Sequence, residues 1–148
     1  MLFKTKFDLV VSLGEDCACS SYLRRCKLQN FSYPFDWLMS APCKSRLDLI
    51  LNNFADFFNK EDLSPLEKPK TGIVDEKCDY YADKRYGFHF LHDFRIGEPF
   101  DSEYLRVKAR FERRIKRMYE QIAAAKNILF VWWSRDKRQE LDFLRDYY

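Results

Sequence analysis

The stretch DLVVSLGEDCACSSYLRRC, residues 8–26, decides the fold of this chain. It opens with an apolar run rich in β-branched residues, which predicts a strand buried on both faces, as in a parallel sheet. Gly14 ends the run, and Glu15 or Asp16 can cap a helix that the pattern predicts over residues 17–27. Cys17 therefore stands where a buried strand gives way to a helix.

A second fully apolar run, ILFVWW at residues 128–133, predicts another buried strand. A long helix is predicted before it, beginning at Asp101 or Ser102 and ending near residue 126. Its apolar stripe consists of Val107, Phe111, Ile115, Met118 and Ile122. A further helix pattern covers residues 135–148. This order is of the βαβ type, so we expect an α/β fold with a mostly parallel sheet flanked by helices.

The middle of the chain has a weaker pattern. A helix is predicted over residues 44–59, with a stripe of Leu47, Leu51, Phe54 and Phe58. The proline-bearing segment 60–70 predicts a loop, and short strands are predicted at 71–74 and 86–91. In the second of these strands, alternation places Phe88 and Phe90 on one face and His89 and Leu91 on the other.

The chain is long enough for one domain, residues 1–148, with a buried core, since 47% of its residues are hydrophobic and 18% are aromatic. Two buried strands make a thin sheet, which leaves two interpretations open. The chain is a fragment truncated at its C-terminus, or it is a short domain whose sheet is covered from elsewhere. No internal repeat is visible.

Charge and cysteine usage restrict the class of protein. The net charge of +3 is small and acids alternate with bases, so no nucleic-acid partner is expected. No apolar run approaches the ~18 residues of a membrane span, and no cleavable signal is evident. The five cysteines form no disulfide framework, which predicts free thiols in a reducing, cytoplasmic compartment. Only His89 and His92 could complete a zinc site, so neither a metal nor a cofactor is expected.

Cys17 is the strongest candidate for a reactive group. The free N–H groups and the dipole at a helix N-terminus favour a thiolate. Glu15 and Asp16 oppose it, because negative charges raise the pKa of a neighbouring thiol. The structural alternative is a small apolar side chain packed in a tight turn.

His92 is the candidate base, because it ends a strand-like run and is followed by Asp93. The alternative for His92 is a histidine that caps a turn, and His89 suits a packed position among aromatic residues. Asp36 lies between Phe35 and Trp37, so we expect it to be buried. A buried carboxylate needs partners, which are structural donors or a histidine that it orients.

Three motifs together, VSLGEDC at 11–17, PFDW at 34–37 and HDF at 92–94, resemble the DUF1796 family, whose members are described as papain-like cysteine peptidases. The resemblance spans roughly residues 8–133. It implies a thiol nucleophile at Cys17 and a base at His92, with Asp36 or Asp93 as the orienting carboxylate. The family more typically has asparagine where this chain has Asp16. The strand, glycine and helix order favours an open α/β sheet over a two-lobed papain cleft.

Two functions follow as hypotheses. The first is a Cys–His hydrolase or acyl-transfer enzyme acting on a peptide, acyl or glycan-linked substrate, with N–H groups at the helix start holding the oxyanion. The second is a non-catalytic α/β binding module, linked through the family resemblance to glycan biosynthesis. A third hypothesis is a fragment that is inactive until the missing strands of its sheet are supplied.

Overall fold

The computed structural model describes residues 6–135 and 141–147 of the chain. The strands are β1 (Leu9–Gly14), β2 (Leu38–Ser40), β3 (Leu63–Pro65), β4 (Cys78–Asp83), β5 (Phe88–Arg95) and β6 (Ile128–Trp132). The helices are α1 (Cys17–Arg25), α2 (Cys43–Leu51) and α3 (Phe100–Ala124), with 3₁₀ turns at Lys60–Asp62 and Asp142–Tyr147. None of the helices in these ranges combines the length and the apolar character of a membrane span.

The strands form two sheets. β1 and β6 pair in parallel, as the two apolar runs predicted, and β2, β5, β4 and β3 form a four-stranded antiparallel sheet in that order. The prediction of a mostly parallel sheet is therefore wrong, although the mixed α/β class is correct. The reason is the short connection between β4 and β5, because a tight hairpin can join only antiparallel strands whereas a parallel pair needs a long crossover.

β1 is covered on both faces, as its composition predicted. Val10 packs against Cys19 and Leu23 of α1, while Leu9, Val11 and Leu13 join the main core on the other face. Helix α1 begins where the sequence predicted, and its N-cap is Asp16, whose carboxylate accepts the N–H of Ala18 at 2.8 Å. This capping bond directs the chain from β1 into α1 and places Cys17 in the first turn.

The main core is aromatic. The rings of Phe35, Phe54, Phe57, Phe58, Phe88, Phe90, Phe94 and Phe111 pack between the four-stranded sheet and α3. The predicted stripe of α3 is the face that packs here, with Val107, Phe111 and Met118 fully or almost fully buried. Large rings contribute most of the buried apolar area in such a core. The opposite face of β5 is thereby left free to line a cavity.

Several local predictions differ from the structure. Helix α2 ends at Leu51 rather than at residue 59, because the backbone is left-handed at Asn53, Phe54, Asp56 and Phe58. Leu51, which was predicted in the buried stripe, is exposed. No strand forms at 71–74, and the sequence missed β4, which follows that segment. β6 is half-buried rather than fully buried. Part of the last predicted helix, residues 136–140, lies outside the described residues.

Candidate active site

A cavity of about 830 Å³ lies beyond the carboxyl ends of the two parallel strands. Asp16 and Cys17, which follow β1, and Arg135, which follows β6, line one part of it. His89, Leu91 and His92 of β5 also line it, together with Met39, Tyr80 and parts of the segment 66–75. In open α/β sheets, ligands bind at this end of the parallel strands. The fold thus brings Cys17 and both histidines to one cavity.

Cys17 is the first residue of α1 and is partly exposed. Burial raises the pKa of its thiol, and the charge of Asp16 raises that pKa further. The guanidinium of Arg135, paired with Asp16 at 2.9 Å, partly offsets this effect. Of the two acids predicted to raise this pKa, Asp16 does so, whereas Glu15 is not among the causes of the shift. Within the described residues, its Sγ makes no hydrogen bond to either histidine.

His92 forms the second part of the site together with a carboxylate that the sequence did not indicate. His92 Nδ1 lies 2.8 Å from Oδ2 of Asp75, and the other carboxylate oxygen of Asp75 accepts the N–H of Lys77 at 2.9 Å. The N–H of Asp75 donates to Tyr80 Oη at 2.8 Å. The hydrogen bond from His92 lowers the pKa of Asp75. Because Nδ1 is engaged, Nε2 is the nitrogen that can exchange a proton with a substrate.

An irregularity in β5 explains why His92 lines the cavity. Strict alternation would place His92 on the core face with Phe88 and Phe90. The pairing of β5 with β4 shifts register, so that Phe90 lies opposite Tyr81 whereas Phe94 lies opposite Asp79. β5 therefore has two extra residues in this interval, and the bulge turns His92 away from the core. Bulges that redirect a side chain in this way often lie next to active sites.

His89 is a second imidazole on the same cavity. Its Nδ1 lies 3.2 Å from Ser40 Oγ, and burial lowers its pKa. Its face of β5 is the one that alternation predicted, opposite the buried Phe88 and Phe90. No carboxylate of the described residues bonds to His89, in contrast to His92.

Asp36 is fully buried, as predicted, and its partners are structural. Its Oδ2 accepts hydrogen bonds from Gln29 Nε2 at 2.6 Å, from the N–H of Tyr33 at 2.9 Å and from Arg24 Nη2 at 3.2 Å. Burial nevertheless raises its pKa, since desolvation outweighs these three donors. The structure does not bring Asp36 to either histidine.

Asp93 follows His92 but has different surroundings. Its side chain is buried, and its Oδ1 lies 3.2 Å from Nη1 of Arg110 on α3. Burial raises its pKa, and Arg114 and Arg110 oppose that shift. The backbone carbonyl of Asp93 accepts a hydrogen bond from Arg106. Its carboxylate is therefore engaged with α3 and not with the imidazole of His92.

Arg46 supports the turn that carries Cys17. It is fully buried, and its Nη2 donates to the carbonyl oxygen of Glu15 at 2.9 Å and to that of Ser40. Burial lowers its pKa to about 10. Gly14 has φ +98°, and a Cβ there would lie 2.6 Å from Arg46 Nη1, so glycine is required by conformation and by space.

The sequence does contain a signal for Arg46. Cys43, Arg46 and Leu49 recur every three residues and form the buried face of α2. An arginine in such a face is unusual and marks a buried polar contact.

Residues 6–135 and 141–147 contain no group of three histidine, cysteine, aspartate or glutamate side chains that could hold a metal ion.

These features define an α/β domain with a thiol and a carboxylate-bound histidine on one cavity. The chain belongs to the family described as "Putative papain-like cysteine peptidase (DUF1796)", whose profile matches residues 8–148. The resemblance stated from the three motifs is therefore confirmed, and the match extends beyond residue 133.

One relative comes from Acanthamoeba polyphaga mimivirus and is described as an uncharacterized protein. It is 29% identical to this chain over 136 residues, which cover 83% of the chain and 60% of the viral protein. The chain thus spans about 60% of the length of that relative. No solved structure matches the chain.

Proposed function

We propose that this protein is a Cys–His acyl hydrolase or acyl-transfer enzyme, with Cys17 as nucleophile and His92 as general base. The observation that carries the proposal is that Cys17 and the His92–Asp75 pair line the same cavity. The family description supports the same class of chemistry. We propose Asp75 as the orienting carboxylate in place of Asp36 and Asp93, since both of those are engaged with arginines.

The proposed reaction has two steps. Cys17 Sγ attacks the carbonyl carbon while its proton passes to His92 Nε2, and the bond from the carbonyl carbon to the leaving group then breaks. The leaving amine or alcohol takes the proton from His92. Water, or another nucleophile in an acyl transfer, next attacks the thioester while His92 takes its proton. The bond from the carbonyl carbon to Sγ then breaks, the proton passes from His92 to the sulfur, and the carboxylic acid or the acylated acceptor is released.

The first turn of α1 supplies the donors for the oxyanion. Four N–H groups at a helix start lack intrahelical partners, and that of Ala18 is already bound by Asp16. The remaining N–H groups beside Cys17 can donate to the negative oxygen of a tetrahedral intermediate. The dipole of α1 favours the same charge.

The raised pKa of Cys17 indicates how the thiol is activated. A thiol whose pKa is raised favours proton transfer to His92 during attack, as in serine hydrolases, over a preformed thiolate–imidazolium pair. Because a base must act in the attack itself, the loss of His92 should slow acylation of Cys17 and not only hydrolysis of the thioester.

The test is acylation by an activated ester. The protein is mixed with p-nitrophenyl acetate, release of p-nitrophenol is followed, and the acylated cysteine is identified by mass spectrometry. We expect a burst and an adduct on Cys17, both absent in Cys17→Ala and retained in Cys26→Ala, which removes an exposed thiol. Acylation of Cys17 no faster than that of Cys26 would overturn the proposal.

The non-catalytic binding module is the second candidate. It is favoured by the raised pKa of the Cys17 thiol and by the lack of a hydrogen bond from this thiol to either histidine in the part of the chain that the structure describes. This candidate expects no preference for Cys17 in the acylation experiment. It also predicts that the Cys17→Ala variant retains its function in the host.

A further inference from the structure

The segment 66–75, which contributes one wall of the cavity, is irregular but held at both ends. The N–H of Leu66 donates to the carbonyl oxygen of Tyr80 at 2.8 Å, and the N–H of Asp75 donates to the hydroxyl of the same tyrosine at 2.8 Å. Lys68 Nζ donates to the carbonyl oxygen of Asp75 at 2.9 Å. Tyr80 and Lys68 thus hold the two ends of the segment together.

Non-aromatic apolar side chains line the cavity from this segment and from the neighbouring strands β2 and β5. Leu66, Ile73 and Val74 line the cavity from the segment, and Met39 and Leu91 line it from β2 and β5. Ile73 is completely exposed, at 103% of its reference area. A single exposed isoleucine is ordinary on a protein surface, but this one belongs to a group of aliphatic side chains around one cavity.

The polar groups of the cavity come from several elements, this segment included. Asp16 and Cys17 follow β1, Arg135 follows β6, His89 and His92 lie on β5, and Glu67 and Asp75 lie on the segment itself. A bound substrate would therefore have its carbonyl group at Cys17. The group attached to that carbonyl would lie against the aliphatic side chains, where burial of CH₂ groups is favourable.

We propose that the cavity selects substrates with an aliphatic acyl group and that Ile73 and Val74 are specificity-determining residues. This inference rests on the proposed function of Cys17. The carboxylates of Glu67 and Asp75 lie on the same segment, so an acyl group that carries its own negative charge is disfavoured. The aliphatic group could belong to a fatty acyl chain or to an apolar amino acid.

The test compares rates of Cys17 acylation by p-nitrophenyl acetate and p-nitrophenyl hexanoate. Each buried CH₂ contributes up to about fourfold, so partial burial of four predicts a preference for hexanoate of at least about tenfold. Ile73→Ser combined with Val74→Ser should reduce that preference several-fold, measured as the ratio of the hexanoate rate to the acetate rate in the same variant. Ile96→Ser, at another exposed isoleucine outside this cavity, is the matched control.

The source of the aliphatic group is tested with the p-nitrophenyl ester of N-acetyl-leucine. If Cys17 is acylated faster by this ester than by the hexanoate ester, the preferred aliphatic group is the side chain of an apolar amino acid. If the hexanoate ester reacts faster, the preferred group is an acyl chain. Equal rates for acetate, hexanoate and N-acetyl-leucine esters would overturn the inference, and so would an unchanged preference in the double variant.

A binding experiment separates this inference from the proposed function. Cys17→Ala is titrated with hexanoyl-glycinamide and acetyl-glycinamide, neither of which can react with it. Tighter binding of the hexanoyl compound supports aliphatic selection even if the wild-type protein fails to acylate. Equal binding of the two compounds overturns the selection, whatever the reactivity of Cys17.

Discussion

His92 and Asp93 are consecutive residues of β5, yet their side chains lie in opposite surroundings. The side chain of His92 is 39% exposed and pairs with Asp75 beside the cavity. The side chain of Asp93 is 2% exposed and pairs with Arg110 of α3. Asp36 resembles Asp93, with a fully buried carboxylate and an arginine partner. The carboxylates of Asp36 and Asp93 are buried against arginines and stabilise the fold, whereas that of Asp75 is partly exposed and is free to orient a base.

The difference also explains the opposite pKa shifts. Burial raises the pKa of Asp36 and Asp93 in spite of their arginine partners, whereas hydrogen bonding from His92 lowers that of Asp75. A carboxylate that is ionised and partly exposed, as Asp75 is, can stabilise an imidazolium that forms during a reaction. A fully buried carboxylate whose oxygen already accepts three hydrogen bonds, as in Asp36, serves a structural role.

The largest expected effect is on stability at Asp36. Asp36→Ala leaves three buried or partly buried donors without their acceptor, and we expect a loss of about 3–5 kcal/mol in the free energy of unfolding. Asp36→Asn is the control, because its amide oxygen can replace Oδ2 and keep all three bonds. Urea denaturation measures both. Equal destabilisation by the two variants would contradict the structural role assigned to this carboxylate.

A smaller effect, on reactivity alone, is expected at Asp75. Asp75→Asn should slow acylation of Cys17 by about 10–100-fold, because the imidazole loses its orienting charge. Its midpoint of urea denaturation should stay near that of the wild type, since Asp75 is partly exposed. Loss of stability without a change in acylation rate would show that Asp75 has a structural role like that of Asp36. It would contradict the assignment of Asp75 as the carboxylate that orients His92.

The smallest effect concerns the pH dependence of Cys17. The charge of Asp16 raises the pKa of the thiol, so Asp16→Asn should lower that pKa and move the rise of the alkylation rate to lower pH. At pH 8, iodoacetamide should therefore react with Cys17 faster than in the wild type, by a factor of a few. Asparagine can still cap α1 through its amide oxygen.

Glu15→Gln is the matched control for this prediction. The carboxylate of Glu15 accepts from Ser134 Oγ and from the N–H of Arg135, and its charge is not among the causes that raise the pKa of Cys17. We expect the alkylation profile of this variant to match that of the wild type. An equal shift in both variants would show that the effect is not specific to the N-cap.

The sequence predicts the strongly patterned parts of the fold. β1, α1, α3 and β6 follow from apolar runs and a helical stripe, which depend on local composition. β4 was missed because its run CDYYAD contains two aspartates and shows little apolar alternation. The antiparallel sheet was also missed, because strand pairing depends on connections and partners that lie far apart in the chain.

The site was predictable in part for similar reasons. Cys17 and the cap at Asp16 follow from the order of strand, glycine and helix. Asp75 lies in an irregular loop with no pattern to mark it, and it meets His92 only through tertiary folding. Asp36 and Asp93 were predicted as candidate orienting carboxylates, and they lie next to aromatic residues or a histidine in the sequence. Sequence proximity does not reveal that both side chains face arginines.

The central claim, that Cys17 and His92 act as one unit, is tested most directly by the rate of Cys17 acylation in His92→Gln. His89→Gln is the control, because it removes the other imidazole from the same cavity. We expect His92→Gln to slow acylation by about 100-fold or more and His89→Gln by less than about threefold. An unchanged rate in His92→Gln, or an equal loss in both variants, would contradict the account.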